Sequence, residues 1–228
     1  MRNKNIFKLL AIGLVAFIVS GCSTTKYITK GEAYPKMYEE QPRSLLILPP
    51  MNQSTAAEAK DYYMTTAEMP FAMMGYYTFP VEMVSDVMKQ EGVYDTELLY
   101  SMPMDKFKEY FGADAVLMTT IKKWDLSYMV VASSLTVSIE AKIVSTATSQ
   151  TLWAHTGTVV VDLSGGNSGG GLGGLIVKAV ATAVSSAAAD YVTYAHQANQ
   201  RLIYTLPAGP YSNHYMADQD VPVFRDRR

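Results

Sequence analysis

Hydrophobic and polar residues follow different patterns in the two halves of the chain. In the first half, short apolar runs alternate with stretches in which apolar residues recur at helical spacing, as at Val81, Val84, Val87 and Met88. In the second half, apolar residues alternate one by one with polar residues, at Leu135, Val137, Ile139, Ala141 and Ile143. The first pattern predicts buried strands separated by helices, and the second predicts a strand with one buried face and one solvent-exposed face.

The first half predicts three buried strands with helices between them. The strands are Ser44–Leu48, stopped by Pro49 and Pro50, then Tyr76–Phe79, and then Ala115–Ile121. The helices run from about Ala56 to Tyr63, Pro80 to Gln90, Thr96 to Tyr100 and Asp105 to Phe111, with Gly112 ending the last one. Strands separated by helices in this way are normally parallel and are flanked by helices.

The second half predicts an antiparallel meander. It consists of a strand through Trp124, the alternating strand, a turn at Thr146–Gln150 and a partner strand at Thr151–Leu163. A long helix of small residues follows, from about Leu175 to Leu206, and ends before Pro207. The predicted fold class is therefore α/β, with a mixed sheet of parallel N-terminal strands and antiparallel C-terminal strands, flanked by helices.

The segment Gly165–Gly174 contains seven glycines in ten residues. Gly169, Gly171 and Gly174 match the G-x-G-x-x-G pattern of dinucleotide sites. So many glycines produce this match almost automatically, and the strand before them is predicted to be antiparallel rather than the first strand of a βαβ unit. We therefore predict no nucleotide site and no cofactor, and the role of the loop stays open.

The start of the chain has the features of an export signal. Arg2, Lys4 and Lys8 precede an apolar stretch, and small residues precede Cys22, which is the only cysteine. This arrangement resembles a bacterial lipobox, which implies removal of residues 1–21 and a lipid on Cys22. The alternatives are an ordinary signal peptide with an incidental cysteine, or a transmembrane anchor. The apolar core, from about Leu9 to Val19, is too short to span a bilayer.

Composition limits the classes of partner. Removal of residues 1–21 takes away three basic residues and no acidic ones, which leaves 16 basic and 21 acidic residues and changes the net charge from −2 to −5. No nucleic acid partner is expected, because the chain has no excess of Lys and Arg that could neutralise phosphates. The 16 tyrosines and 14 methionines are residue types that fill cores and that are also enriched at protein interfaces.

The remaining chain is predicted to form one domain with two extensions. Residues 22–43 lack periodicity and are predicted to be a flexible tether, residues 44–211 a single α/β domain, and residues 212–228 a polar tail. Ser23 rather than Asp follows the lipid site. By the familiar bacterial sorting rule, this favours the outer membrane, with the domain facing the periplasm.

One apolar segment is a candidate contact surface for a partner or for a second copy. It is predicted to be a loop around Pro70 and Gly75, and its candidate residues are Tyr62, Tyr63, Met69, Phe71, Met73, Met74 and Tyr76. Such a loop either packs on the core of its own chain or is covered by another surface. A homodimer is the simplest form of the second alternative.

No residue pattern indicates a reaction. The three histidines, His155, His196 and His214, are far apart and lack metal-ligand spacing. No nucleophile motif of the G-x-S-x-G type occurs. The chain is therefore predicted not to be an enzyme, although scattered acidic residues leave an envelope enzyme as an alternative.

Several segments resemble a bacterial lipoprotein family of unknown function, one member of which is a meningococcal surface-antigen candidate. They are Ile47–Asn52, Gly75–Pro80, Phe111–Leu117 and Leu206–Tyr211. The segment Gly112–Leu117 is also similar to strand entries in the TolB amino-terminal domain and in the periplasmic domain of the curli secretion channel. The resemblance implies an α/β domain of that kind, work in envelope assembly, secretion or transport, and contact with other envelope proteins such as a curli-channel-like lipoprotein. It supplies no catalytic residues.

A second hypothesis is a ligand-carrying subunit of a lipid or solute transporter, with an apolar cavity between the sheet and the Leu175–Leu206 helix.

Overall fold

The described part of the structure, a computed structural model, covers residues 27–128, 133–162 and 191–223. The predictions for the signal peptide, for Cys22, for the glycine-rich loop and for the helix before Tyr191 lie outside these residues. Among the described residues, no helix has the length and apolar character needed to cross a bilayer.

One mixed sheet organises the described residues. Its strands are β2 (Ser44–Ile47), β3 (Met51–Asn52), β4 (Tyr77–Phe79), β5 (Ala115–Tyr128), β6 (Ser133–Ser145) and β7 (Thr151–Asp162). The order across the sheet is β4-β2-β5-β6-β7, and β3 pairs with β5 beyond the end of β2.

The pairing confirms the predicted fold class. Strands β4, β2 and β3 run parallel to their neighbours, with Leu45 opposite Ala115 and Met51 opposite Thr120. Strands β5, β6 and β7 are antiparallel. The predicted strand at Ala115–Ile121 and the strand through Trp124 are a single long strand, with a register shift between Ile121 and Lys123.

Helices cover both faces of the sheet. They are α1 (Lys30–Ala33), α2 (Pro35–Glu40), α3 (Ala59–Met64), α4 (Glu68–Met73), α5 (Val81–Gln90), α6 (Thr96–Ser101), α7 (Met104–Phe111) and α8 (Tyr191–Ile203). On one face, residues of α3, α4 and α8 pack on the strands around Trp124 and Trp153. On the other face, α5, α6 and α7 cover the parallel strands around Leu46 and Val116.

The helices of the second face follow from their sequence patterns. Val84 and Met88 of α5 are fully buried and Phe107 of α7 is fully buried, which fits one apolar stripe on each helix. Gly112 ends α7 in the left-handed conformation, with φ of +68°. A residue without a β-carbon adopts this conformation at little cost, so α7 can turn directly into β5.

Two predicted boundaries are wrong. The predicted tether at residues 22–43 contains β1 (Ile28–Thr29), α1 and α2, and Met37 of α2 lies in the core. The predicted tail at residues 212–228 contains β8 (Pro222–Val223), which pairs antiparallel with β1. The described parts of both segments, residues 27–43 and 212–223, are held to the body by hydrogen bonds and burial that local composition does not reveal.

Candidate interaction surface

Helices α3 and α4 carry five of the seven predicted contact residues, and Met74 and Tyr76 follow the end of α4. The prediction of a loop between Met64 and Gly75 is wrong, because Glu68–Met73 forms α4. Gly75 follows with φ of +88° and reverses the chain into β4. The two helices lie beside α8 on the same face of the sheet.

Three of the seven candidate residues belong to the core, so the prediction that they form a contact surface is wrong for them. Tyr63 and Phe71 are fully buried, and Tyr76 is nearly so. The ring of Phe71 meets that of Trp153 edge to face, with centroids 6.3 Å apart. Apolar rings fill the space between α4 and β7, so these side chains cannot also contact a partner.

The buried hydroxyl groups of Tyr63 and Tyr76 form hydrogen bonds within the chain. The hydroxyl of Tyr63 donates to Oδ1 of Asn199 (2.9 Å), and that of Tyr76 donates to the carbonyl of Pro207 (2.8 Å). Burial is the main cause that raises the pKa of Tyr63 and of Tyr76 above the usual tyrosine value. Both therefore stay neutral and serve as fixed donors.

Three other candidates are exposed. Tyr62 is 43% exposed, Met69 61% and Met73 75%, whereas Met74 is half-buried and packs on the core. Met69 and Met73 are four residues apart on α4 and therefore share one side of the helix. We call Tyr62, Met69 and Met73 the Met/Tyr surface.

The C-terminal segment extends the exposed apolar area. The N–H of Gly209 donates to the carbonyl of Met74 (2.8 Å), and the N–H of Tyr211 donates to that of Gly75 (2.9 Å). A side chain at Gly75 would overlap the backbone of Ser212, so the two segments touch directly. Tyr211, which is 70% exposed, is thereby held at the end of α4.

A buried ion pair joins the first and last described segments. Lys30 Nζ lies 3.1 Å from Asp218 Oδ2 and donates to the carbonyl of Leu206 (2.7 Å). The carboxylate of Asp218 also accepts from the hydroxyl of Tyr38 (3.0 Å) and from the N–H of Ala208 (2.9 Å). Burial, together with the nearby Asp218 carboxylate, raises the pKa of Tyr38. We call Lys30, Tyr38 and Asp218 the terminal hub.

Lys30 and Asp218 fall within the predicted tether and the predicted tail, so the sequence pattern does not predict the terminal hub. One local signal could have found α1. Thr29 and Glu32 are three residues apart and form a capping box, in which the Glu32 carboxylate accepts from the N–H of Thr29 at 2.9 Å. No local signal connects this helix to Asp218.

A second polar cluster fixes the start of the parallel strands. Asp114 accepts hydrogen bonds from Lys108 Nζ (2.9 Å), the N–H of Arg43 (3.1 Å) and Oγ of Ser44 (3.2 Å). Partial burial opposes ionisation, but the contacts with Lys108, Arg43 and Ser44 outweigh it and lower the pKa of Asp114. The cluster holds the first residue of β2 against the turn into β5, so its role is structural.

The three histidines lie on different parts of the fold. His155 lies on β7 beside Trp153, with ring centroids 6.5 Å apart, while His196 is on α8 and His214 is exposed. Within residues 27–128, 133–162 and 191–223, no three His, Cys, Asp or Glu side chains are grouped as a metal site would need. A ligand cavity is hypothesised between the sheet and the Leu175–Leu206 helix, of which residues 191–206 are described. At Gly157 an added side chain would overlap the backbone of Ala198, so β7 and α8 are in direct contact there.

Comparisons with known proteins agree with the fold. Residues 32–210 match the family model described as "Putative lipoprotein GNA1162-like". The chain is 30% identical to "Putative lipoprotein NMB1124/NMB1162" of Neisseria meningitidis serogroup B over 207 residues, which covers 90% of this chain and 93% of that protein. The crystal structure of lipoprotein GNA1162 from Neisseria meningitidis is similar, with a TM-score of 0.50 and 30% identity over 56% of this chain and 88% of that chain. A PelC dodecamer from Paraburkholderia phytofirmans is more distant, with a TM-score of 0.45 and 12% identity over 74% of this chain and 89% of that one.

Proposed function

Since this chain belongs to the family of lipoproteins similar to GNA1162, we propose that it is an outer-membrane lipoprotein, anchored by a lipid on Cys22 and facing the periplasm. Its proposed function is to act as a non-enzymatic accessory protein in envelope assembly, secretion or transport. It would act through contacts with other envelope proteins.

The observation that carries the proposal is the exposure of Met69 and Met73 on one side of α4. Methionine is flexible and apolar, so it adapts to the shape of a partner, and it is enriched at protein interfaces. Tyr62 and Tyr211 add aromatic area with polar ends, which suits a surface that is wet in the free protein and buried in a complex.

The charge at this surface also favours a protein contact. Between Tyr62 and Met73 the sequence contains a single charged residue, Glu68. Its carboxylate accepts a hydrogen bond from the Thr78 hydroxyl (3.0 Å), so its charge is partly satisfied within the chain. Interface cores are depleted of charged residues, because burying an unpaired charge costs free energy.

The partner contact can be tested by crosslinking in intact cells. The full, tagged chain would be compared with the double variant Met69→Glu/Met73→Glu, in which two charges interrupt the surface while both residues remain good helix formers. Met83→Glu, which changes an exposed methionine on α5, is the matched control. We expect wild type and control to capture the same envelope proteins, such as a curli-channel-like lipoprotein, and the double variant to lose them. Equal capture by all three would refute the role of this surface.

The anchor has its own test. Cys22→Ser removes the only thiol that could carry the lipid. We expect the variant to remain unprocessed or to leave the outer-membrane fraction. A variant that fractionates as wild type does would show that the anchor assignment is wrong, whatever the outcome of the crosslinking.

A further inference from the structure

The distance between the proposed lipid site and the first fixed residue of the fold is short. Ile28 pairs with Val223, the N–H of Lys30 donates to the carbonyl of Val221 (2.9 Å), and that of Gly31 donates to the carbonyl of Gln219 (2.9 Å). The Lys30 side chain is buried against Asp218. The chain is therefore fixed to the body from Ile28 onward, by backbone pairing and by the terminal hub.

Covalent geometry then limits how far the body can be from the lipid. Cys22 and Ile28 are six residues apart, which corresponds to at most about 20 Å of fully extended chain. A domain of this size has a diameter of roughly 40 Å. The connection is shorter than the domain, so the body cannot turn freely above the membrane.

The end of the sheet that lies near the lipid can be identified. Glu40, at the end of α2, accepts a hydrogen bond from Thr148 in the β6–β7 turn (2.8 Å), and Gln41 accepts one from Tyr215 (2.9 Å). The chain then enters β2 at Ser44, beside Asp114 and the start of β5. Lys30 itself donates to the carbonyl of Leu206, and the neighbouring Thr205 accepts from the indole N–H of Trp153 (3.2 Å), near the start of β7. The segment next to the proposed lipid site therefore lies at the end of the sheet where β5 begins.

The side chains at this end suit a lipid headgroup region. Tyr27 is 59% exposed and Val221 is 40% exposed, next to Pro222 on β8. Tyrosine is enriched at membrane interfaces, where its ring meets acyl chains and its hydroxyl meets water. Of the described acidic residues next to this surface, Asp218 is buried, Glu32 is exposed but accepts a hydrogen bond from Thr29, and Asp220 is exposed beside Val221.

On the premise of the proposed anchor at Cys22, we propose that the surface formed by Tyr27, β1 and residues Asp220–Pro222 rests on the phospholipid headgroups of the membrane that holds the lipid. The body then stands with β5 pointing away from the bilayer. Lys123 lies eight residues along β5 from Ala115, which places it up to about 26 Å farther from the membrane.

Fluorescence quenching in vesicles tests this orientation. The lipidated chain carries no other thiol, so Asp220→Cys and Lys123→Cys can each be labelled with one fluorophore; both native residues are exposed. The vesicles contain phosphatidylethanolamine, phosphatidylglycerol and a phospholipid with a nitroxide on its headgroup. Because nitroxide quenching needs near contact, we expect strong quenching at position 220 and none above background at position 123.

Two controls separate the orientation from the anchor. Co-flotation with vesicles and the mass of the N-terminal peptide report acylation of Cys22, and their failure would refute the proposed anchor. If the chain floats but positions 220 and 123 are quenched equally, or 123 more strongly, the proposed orientation is wrong.

Inserting about ten Gly and Ser residues after Ser23 adds roughly 17 Å of reach, and we expect it to abolish most of the difference between the two positions. A difference that also appears with unacylated protein mixed with the vesicles would refute the role of the short connection.

Discussion

The hydroxyl of Tyr100 replaces a missing strand partner of Thr119: it donates to the Thr119 carbonyl (2.6 Å) and accepts from the Thr119 N–H (2.9 Å). The N–H of Leu48 donates to the carbonyl of Leu117 (3.1 Å). In a parallel ladder the next donor lies two residues on, at Pro50, which has no N–H. Pairing resumes only at β3, where Met51 is opposite Thr120. A side chain from α6 thus completes the backbone hydrogen bonding of the central strand.

Removing this hydroxyl should therefore destabilise the fold. Tyr100→Phe keeps the ring but leaves the N–H and the carbonyl of Thr119 without this partner, and an unsatisfied buried polar group costs about 1–3 kcal/mol. We expect the free energy of unfolding to fall by about 2 kcal/mol in urea denaturation followed by circular dichroism. Tyr110→Phe, which changes an exposed tyrosine on α7, should alter it by less than about 0.5 kcal/mol. Equal effects of the two substitutions would contradict this account.

The terminal hub predicts strong coupling between Lys30 and Asp218. Lys30→Met leaves the Asp218 carboxylate buried without its cation, and such a loss typically costs about 3–5 kcal/mol. Asp218→Asn should also destabilise, since it leaves the Lys30 ammonium unpaired. In the double variant neither charge is left alone, so we expect its loss of unfolding free energy to be smaller than the sum of the two single losses. Additive losses in a double-mutant cycle would show that the two side chains act independently.

Close packing between β7 and α8 gives a third prediction. At Gly157 a methyl group would overlap the carbonyl of Ala198 and lie 2.9 Å from Cγ of Leu202. Gly157→Ala should therefore lower the free energy of unfolding by about 1–3 kcal/mol, because the helix must shift. Gly31→Ala is the control, since its methyl would make ordinary contacts of 3.4 Å with Gln219. We expect that control to be neutral or slightly stabilising, and a comparable loss at both positions would contradict the prediction.

The Asp114 cluster predicts a dependence of stability on acid. The pKa of Asp114 in the folded state is lower than its ordinary value of 3.8, so the folded state favours the ionised form. The stabilisation is complete above the unfolded pKa and is lost as the pH falls through the lower folded value. Asp114→Asn should cost about 1 kcal/mol at neutral pH, and its difference from wild type should shrink below about pH 4. Asp86→Asn, at an exposed pair with Lys89, should show no such trend. A difference that stays constant with pH would exclude the carboxylate as its source.

The fold could be predicted from sequence wherever one segment contains its own signal. The Val84 and Met88 stripe defined α5, and Gly112 marked the end of α7. Strict alternation defined β6 from Leu135 to Ile143. These features depend on residues within one turn or one strand of each other, so they can be read without knowing the tertiary structure.

The candidate site could be predicted only in part, because burial depends on distant residues. Met69, Phe71 and Met73 are equally apolar in the sequence, but only Phe71 points at Trp153, 82 residues later in the chain. Lys30 and Asp218 are 188 residues apart, and each alone resembles a solvated charge. The packing of α4 on β7 decides which of these positions is buried and which is exposed, and no local pattern encodes that packing.

Self-association through the Met/Tyr surface is the last prediction. The proposed homodimer would bury Met69 and Met73, and burying such side chains is worth roughly 1.5–3 kcal/mol each when complete. Met69→Glu/Met73→Glu should therefore stay folded, with an unchanged thermal transition, and shift toward monomer in sedimentation of the detergent-solubilised chain. Met83→Glu should sediment as wild type does. Phe71→Asp should lose its thermal transition instead, because Phe71 is fully buried beside Trp153. A double variant that is folded and sediments as wild type does would show that this surface does not hold two copies together.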